Sequence, residues 1–245
     1  MDIKELVDQF NDRGYVIIPE LLTTSEATEL HGALEELAPP HDPAKAIVKH
    51  TERALLPNVS FFGVLTKDRL LEVVQGVIGD DFQLLAYDAL DTKPNSGLER
   101  NWHTDVQFWS DTTLTANVAI YLQDMTPDEG PLLVIPGSHR RGRGPRDDER
   151  LAKSAEEVPV SVAAGSAVVF DAQLWHSGGR NASPRPRRVI FPYFGHYWIK
   201  RMDEFYRTPL PDYILEHEDP VVQQLFGRRL RGQSVYGGYD ENSYR

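Results

Sequence analysis

The chain has 245 residues, 40% of them hydrophobic and 26% charged, which is enough for one large soluble domain. Its 37 acidic side chains outnumber 26 basic ones and leave a formal charge of −11, which argues against a nucleic-acid or anionic-membrane binder, since both need a basic face. Cysteine is absent, which excludes disulfides and thiol catalysis.

Met1-Asp2-Ile3-Lys4-Glu5 is charged and lacks the apolar region of a signal peptide. No apolar run approaches membrane-spanning length, so a cytoplasmic protein is expected. Ile3, Leu6, Val7 and Phe10 form a helical stripe over residues 2–13, stopped by Gly14. Tyr15–Pro19 is a β-branched run that reads as a strand. Thr23 to Glu26 is a capping box for a second helix carrying Leu30, Ala33, Leu34 and Leu37. Residues 38–47 break it into a loop, and His41 and His50 are expected in a loop region outside the β core. A third helix, capped by Thr66 or Asp68, contains Leu70, Val73, Val74 and Val77 and ends at Gly79.

From residue 82 the pattern turns to strands: Phe82–Leu90, Leu114–Leu122, Leu132–Ile135, Val158–Val162, Ser166–Phe170 and Arg188–Phe194. Short strands separated by turn residues predict a sandwich or jelly roll. The charged stretch 138–157 reads as an exposed loop or short helix. Asp219-Pro220 caps a last short helix, followed by a Gly/Tyr/Asp-rich tail, Gly232–Arg245. One domain over 1–245 is expected, with helices in 1–80, a β core over about 82–200 and a C-terminal helix and tail in 201–245.

Asn101-Trp102-His103-Thr104-Asp105 carries an imidazole and a carboxylate two residues apart, which share one face of an extended chain. Of the eight histidines, His31 and His217 have acidic neighbours and are expected at the surface. His139 follows a turn and is assigned no chemistry. His176 follows an apolar strand and precedes Gly178-Gly179, where the backbone can bend sharply. His103, Asp105 and His176 therefore compose a 2-His-1-carboxylate set, which holds Fe(II) and leaves positions open for co-substrate and O2. Arg185, Arg187 and Arg188 lead into a buried-looking strand, and an arginine there can bind a carboxylate through two parallel hydrogen bonds. Alternation alone does not choose among them, since both faces of 187–194 are largely apolar. On the strand after the triad, Val118, Ile120 and Leu122 are expected to pack against helices, while Asn117 and Tyr121 face the cavity within reach of a co-substrate. Phe108 and Trp109 are candidate walls of a substrate pocket.

Trp102-His103-Thr104-Asp105, Asp128-Glu129-Gly130-Pro131-Leu132 through Pro136-Gly137-Ser138-His139, and Trp175-His176-Ser177-Gly178 with Asn181 and Pro186-Arg187 resemble the phytanoyl-CoA dioxygenase family of Fe(II)/2-oxoglutarate oxygenases. The resemblance runs from about residue 82 to 200 and implies a double-stranded β-helix, a distorted jelly roll, with flanking α-helices. It implies His103, Asp105 and His176 as iron ligands and selects Arg187, eleven residues after the second histidine, for 2-oxoglutarate. Lys93 resembles a lysine that reaches the co-substrate. The implied reaction consumes O2 and 2-oxoglutarate, releases succinate and CO2, and oxidises a small-molecule substrate. Relatives that halogenate replace the carboxylate ligand with a small residue, so Asp105 favours hydroxylation; desaturation, epoxidation and cyclisation use the same ligands. The competing readings are a cupin-like isomerase or binding module and a Zn2+ hydrolase, neither of which needs Arg187. A nucleophilic hydrolase is disfavoured, with no cysteine and no Gly-x-Ser-x-Gly. The acidic balance makes a CoA thioester a less natural substrate. The substrate itself is not read from the sequence, and a small neutral or cationic metabolite, such as an amino-acid derivative or natural-product intermediate, is a guess.

Overall fold

The computed structural model describes residues 1–37, 45–201 and 210–227. Helix α1 (Ile3–Arg13) opens with a capping box between Asp2 and Glu5 and buries Leu6 and Phe10. Gly14 ends it at φ 81°, and a Cβ there would lie 2.5 Å from His139 Nδ1, so the close approach as well as the backbone favours glycine. The chain then enters β1 (Tyr15–Ile18). Before α2 (Thr24–Leu37), the Glu26 amide donates to Thr23 Oγ1 at 3.2 Å and the Thr23 amide donates to the Glu26 carboxylate at 2.8 Å, which is the expected box.

The next stretch departs from expectation. Residues Ile47–Thr51 form strand β2, and His50 pairs with Ala89 and is buried, so it does not lie in a loop outside the β core. His41 lies outside the described residues. Helices α3 (Glu52–Leu55) and α4 (Val59–Leu65) were not legible, being too short to display a 3.6-residue period. Helix α5 (Asp68–Ile78) ends at Gly79 as expected, but its N-cap is Lys67 rather than Thr66 or Asp68.

Two antiparallel sheets follow. The larger has the order β1-β7-β4-β9-β3-β2, with β3 (Phe82–Thr92), β4 (Thr115–Tyr121), β7 (Ala167–Asp171) and β9 (Arg187–His196). The smaller has the order β6-β5-β8, with β5 (Leu132–Val134), β6 (Val158–Val160) and β8 (His176–Gly178). Tyr121, Val168, Phe170 and Val189 of the larger sheet meet Leu132, Val134 and Val160 of the smaller in one apolar layer. The opposite face of the larger sheet, with Val118, Ile120, Ile190 and Phe194, packs on Leu30, Leu34, Phe61 and Val73 of the helices. The helical segment thus backs the sheet, leaving its inner face and the smaller sheet to enclose a site.

The charged 138–157 stretch forms a 3-10 turn, Ser138–Arg141, and further turns pinned by Arg143–Glu149 (2.6 Å) and Arg100–Glu157 (2.6 Å) ion pairs. Helix α6 (Asp212–Leu215) precedes α7 (Pro220–Leu225), whose Val221 amide donates to Asp219 Oδ1 at 2.8 Å. The Gly232–Arg245 tail lies outside the described residues. His31 is half-buried 3.1 Å from Arg188 Nη1 instead of standing at the surface, because α2 packs on the outer face of the sheet.

Candidate metal centre

His103 and Asp105 lie not in a regular strand but in an extended segment docked on β8. The His103 amide donates to the His176 carbonyl and the His176 amide to the His103 carbonyl, each at 3.0 Å. Residues paired this way project side chains to the same side, and the two rings have centroids 4.2 Å apart. The Asp105 amide donates to the Ala172 carbonyl at 2.8 Å, which fixes the third residue against the end of β7. Ser138 Oγ accepts from the Trp175 amide at 2.8 Å, so the Pro-Gly-Ser-His turn holds the residue preceding His176.

The nitrogens and the carboxylate converge. His103 Nε2 is 3.8 Å and His176 Nε2 3.5 Å from Asp105 Oδ1, and one ligand atom from each residue lies within 4.8 Å of the others. Each Nδ1 faces a backbone carbonyl, Asn101 at 2.8 Å for His103 and Leu174 at 3.0 Å for His176. A neutral ring held this way carries its proton on Nδ1 and turns the Nε2 lone pair to a metal. Asn117 Nδ2 donates to Asp105 Oδ2 at 3.1 Å, leaving Oδ1 facing the rings. Burial opposes charge on Asp105, but His176 and the hydrogen bond from Asn117 outweigh it and hold the carboxyl at about 2. Burial also opposes charge on His176, yet Asp105 raises its pKa, while burial and His176 lower that of His103. Two imidazole nitrogens and one anionic oxygen form a donor set suited to a first-row divalent metal.

The triad opens onto a cavity of about 440 Å³. Arg187 lies in its wall, 8% exposed. Its Nη1 donates to the Gly130 carbonyl and its Nη2 to Thr92 Oγ1 at 3.1 Å, while Nε has no partner among the described residues. Burial pushes the guanidinium below its ordinary pKa, and its acceptors among the described residues are all neutral. A buried cation without a counter-ion among the described residues is costly, so this end of the cavity is suited to an anion. The neighbouring arginines are occupied elsewhere: Arg185 pairs with Glu129, and Arg188 Nε lies 3.1 Å from Asp91 on the helix-backed face. Asn117 and Tyr121 line the cavity, and burial raises the Tyr121 hydroxyl to about 12.

Three expected positions fall elsewhere. Lys93 is not in the cavity lining; its amide donates to Ala46 and its carbonyl accepts from Asn181 Nδ2. Thr92, on the last turn of the β3 alternation, meets Arg187 in its place. Phe108 and Trp109 are 40% and 39% exposed and are not cavity walls, because the chain runs outward after the buried Val106. Trp109 borders a separate cleft with His139 and Asp171. The walls are formed instead by Ile47, Leu90, Leu98, Phe170 and Phe191. Alternation in β3 and β9 carries the signal for Asp88, Leu90, Thr92 and for Arg187, Val189, Phe191, two of these sets' members lying beyond the strand ends read from sequence.

The family model described as phytanoyl-CoA dioxygenase (PhyH) matches residues 10–189. The uncharacterized protein Rv1501 of Mycobacterium tuberculosis is 39% identical over 113 residues, 46% of this chain and 40% of that protein, so this chain spans less than half the length of that relative. The ectoine dioxygenase of Stutzerimonas stutzeri is 25% identical over 257 aligned positions, covering 88% of this chain and 84% of that one. Among solved structures, HygX from Streptomyces hygroscopicus, with nickel and 2-oxoglutarate bound, superposes with TM-score 0.68 at 19% identity over 81% of this chain and 89% of that one. The epimerase SnoN, in complex with Fe3+ and alpha ketoglutarate, gives 0.63 at 21% identity over 80% and 84%. The fold is thus the jelly-roll core expected, and the chain belongs to the phytanoyl-CoA dioxygenase family.

Proposed function

We propose that the protein is a non-haem Fe(II)- and 2-oxoglutarate-dependent dioxygenase that hydroxylates a small-molecule metabolite. The carrying observation is the pairing of a convergent His103–Asp105–His176 set with an uncompensated buried Arg187 in one cavity. A zinc hydrolase or a cupin-like binding protein accounts for the first feature and leaves the second without a purpose. The metal and 2-oxoglutarate seen in HygX support the same assignment here.

When bound, iron and 2-oxoglutarate supply the oxidising chemistry, with O2 consumed and succinate and CO2 released. The chain's own groups hold and orient. His103 and His176 present Nε2 because their Nδ1 atoms face backbone carbonyls, and Asp105 presents Oδ1 because Asn117 holds Oδ2. Arg187 receives the distal carboxylate of 2-oxoglutarate, with Thr92 and Gly130 fixing the plane of its fork. Tyr121, a neutral hydroxyl beside Arg187, is a donor to the same co-substrate. Asp105 fills the position a halide needs, which favours hydroxylation over halogenation.

The test is succinate release from 2-oxoglutarate with Fe(II) and ascorbate across a substrate panel, with the organic product examined by mass. Gain of one oxygen atom is expected for hydroxylation; an unchanged mass with inverted stereochemistry indicates an epimerase of the SnoN kind. His176→Ala abolishes turnover while the fold survives. Full activity in that variant, or 2-oxoglutarate binding undiminished in Arg187→Ala together with no turnover on any substrate, overturns the assignment.

A further inference from the structure

The cavity has two charged ends. Besides the ligand Asp105, Asp88 is the only carboxylate among the described residues that line it. Asp88, Leu90 and Thr92 share the inner face of β3, so Asp88 and the Arg187-bound Thr92 are separated by four residues, about 13 Å along the strand. Laterally, Asp88 faces Phe191 on β9, and β9 lies between β3 and β4, the strand whose Asn117 holds Asp105. Two strand spacings amount to about 10 Å. Phe191, opposite Asp88 on β9, and Leu90, two residues along β3, supply apolar surface beside the carboxylate.

We propose that Asp88 is the counter-ion for a cationic nitrogen of the substrate, so that the enzyme acts on small molecules joining an amine, amidine or guanidine group to an apolar body. The proposal rests on the oxygenase reading and adds the substrate class to it. Lys49 Nζ now lies 2.7 Å from Asp88, but the two partners differ: the lysine side chain is 56% exposed and the aspartate 20%. Lys49 sits on edge strand β2 and can swing its ammonium into water at little cost, whereas Asp88 is fixed between β9 and β2. A substrate cation therefore replaces one resident cation by another and leaves no buried charge unpaired. Burial raises the Asp88 carboxyl even against the pull of Lys49. The two ends also sort the ligands once Lys49, which lines the same end, has swung aside, since Arg187 repels a cation and attracts the co-substrate carboxylate, while Asp88 freed of the lysine does the reverse.

The experiment uses the full chain loaded with Ni(II) and 2-oxoglutarate, and titrates cyclohexylammonium against the shape-matched neutral cyclohexanol by calorimetry. The ammonium is expected to bind at least about tenfold more tightly. That preference collapses in Asp88→Asn, persists in Asp88→Glu, and increases in Lys49→Ala, with thermal melts reporting the fold of each. Equal affinity for the two probes in the unmodified chain, or a preference that survives Asp88→Asn, overturns the proposal. Binding of 2-oxoglutarate is read separately before the probe is added. Its absence sinks the oxygenase reading, while the probe titration, repeated on the unloaded chain, still decides Asp88.

Discussion

Asn117 makes one hydrogen bond that aims a candidate metal ligand, from its Nδ2 to Asp105 Oδ2 at 3.1 Å. Outer partners of this kind contribute about 10–100-fold to metal affinity. Asn117→Ala is therefore expected to weaken Ni(II) binding by about that factor, measured by competition with a chromophoric chelator, while Asn117→Asp adds a second carboxylate and disturbs it differently. An unchanged affinity in the alanine variant means that Asp105 is oriented by its backbone alone. At this scale the sequence was legible where chemistry is local. His103 and Asp105 are two residues apart, and the flanking glycines mark His176. Arg187 was not separable from Arg185 and Arg188 by pattern, because β9 is buried on both faces, by the smaller sheet on one side and by helices on the other. Phe108 and Trp109 follow Asp105 closely, yet nothing in their identity signals that the chain leaves the cavity there.

Elements join at Gly130, where the turn before β5 crosses the turn after β8. A Cβ on Gly130 would lie 2.6 Å from the Gly179 carbonyl oxygen and 2.9 Å from the Asn181 nitrogen, at φ 71°. Its own carbonyl accepts from Arg187 Nη1. Gly130→Ala is expected to cost at least about 1–3 kcal/mol in denaturant unfolding, from backbone strain alone, and to weaken 2-oxoglutarate binding as the arginine fork is displaced. Retained stability with normal co-substrate affinity contradicts this account. The start of α2 gives a pH prediction. Lys67 and the Thr23 amide hold Glu26 at about 2, against an ordinary 4.5. A carboxylate lowered on folding contributes its stability above the unfolded pKa and loses it as pH falls through the folded one. Glu26→Gln is expected to melt slightly below the parent chain at pH 7, by less than about 1 kcal/mol because the pair is partly exposed, and the gap closes between about pH 4.5 and 2. Long periodic elements such as α1, α2 and α5 and the flanked strands were readable. The five-residue β2, the three-residue β8 and the short α3 and α4 were not, because their conformations are set by pairing and packing with distant segments.

The molecule as a whole places its three candidate metal donors on short pieces joined to one another by only a few backbone bonds. His176 belongs to a three-residue strand of the smaller sheet, and His103 and Asp105 to an extended segment held by carbonyls of residues 172 and 176. The helix-backed face of the larger sheet carries the large apolar core, and the metal side is closed by a smaller apolar layer and these few backbone bonds. A metal bridging all three donors exists only in the folded chain, so its binding free energy adds to stability by mass action. At a free concentration one hundred times its dissociation constant, that addition is about 2.7 kcal/mol. In a chain of this size it corresponds to a rise of about 5–10 °C in Tm. Calorimetric melts with Ni(II), which avoids O2 chemistry, are expected to rise by that amount for the parent chain. His176→Ala, which leaves two donors, is expected to rise by much less, and Arg187→Ala to rise fully with the metal alone but to lose the further increment given by 2-oxoglutarate. A full metal-dependent rise in His176→Ala places the ion elsewhere and removes the triad as its site.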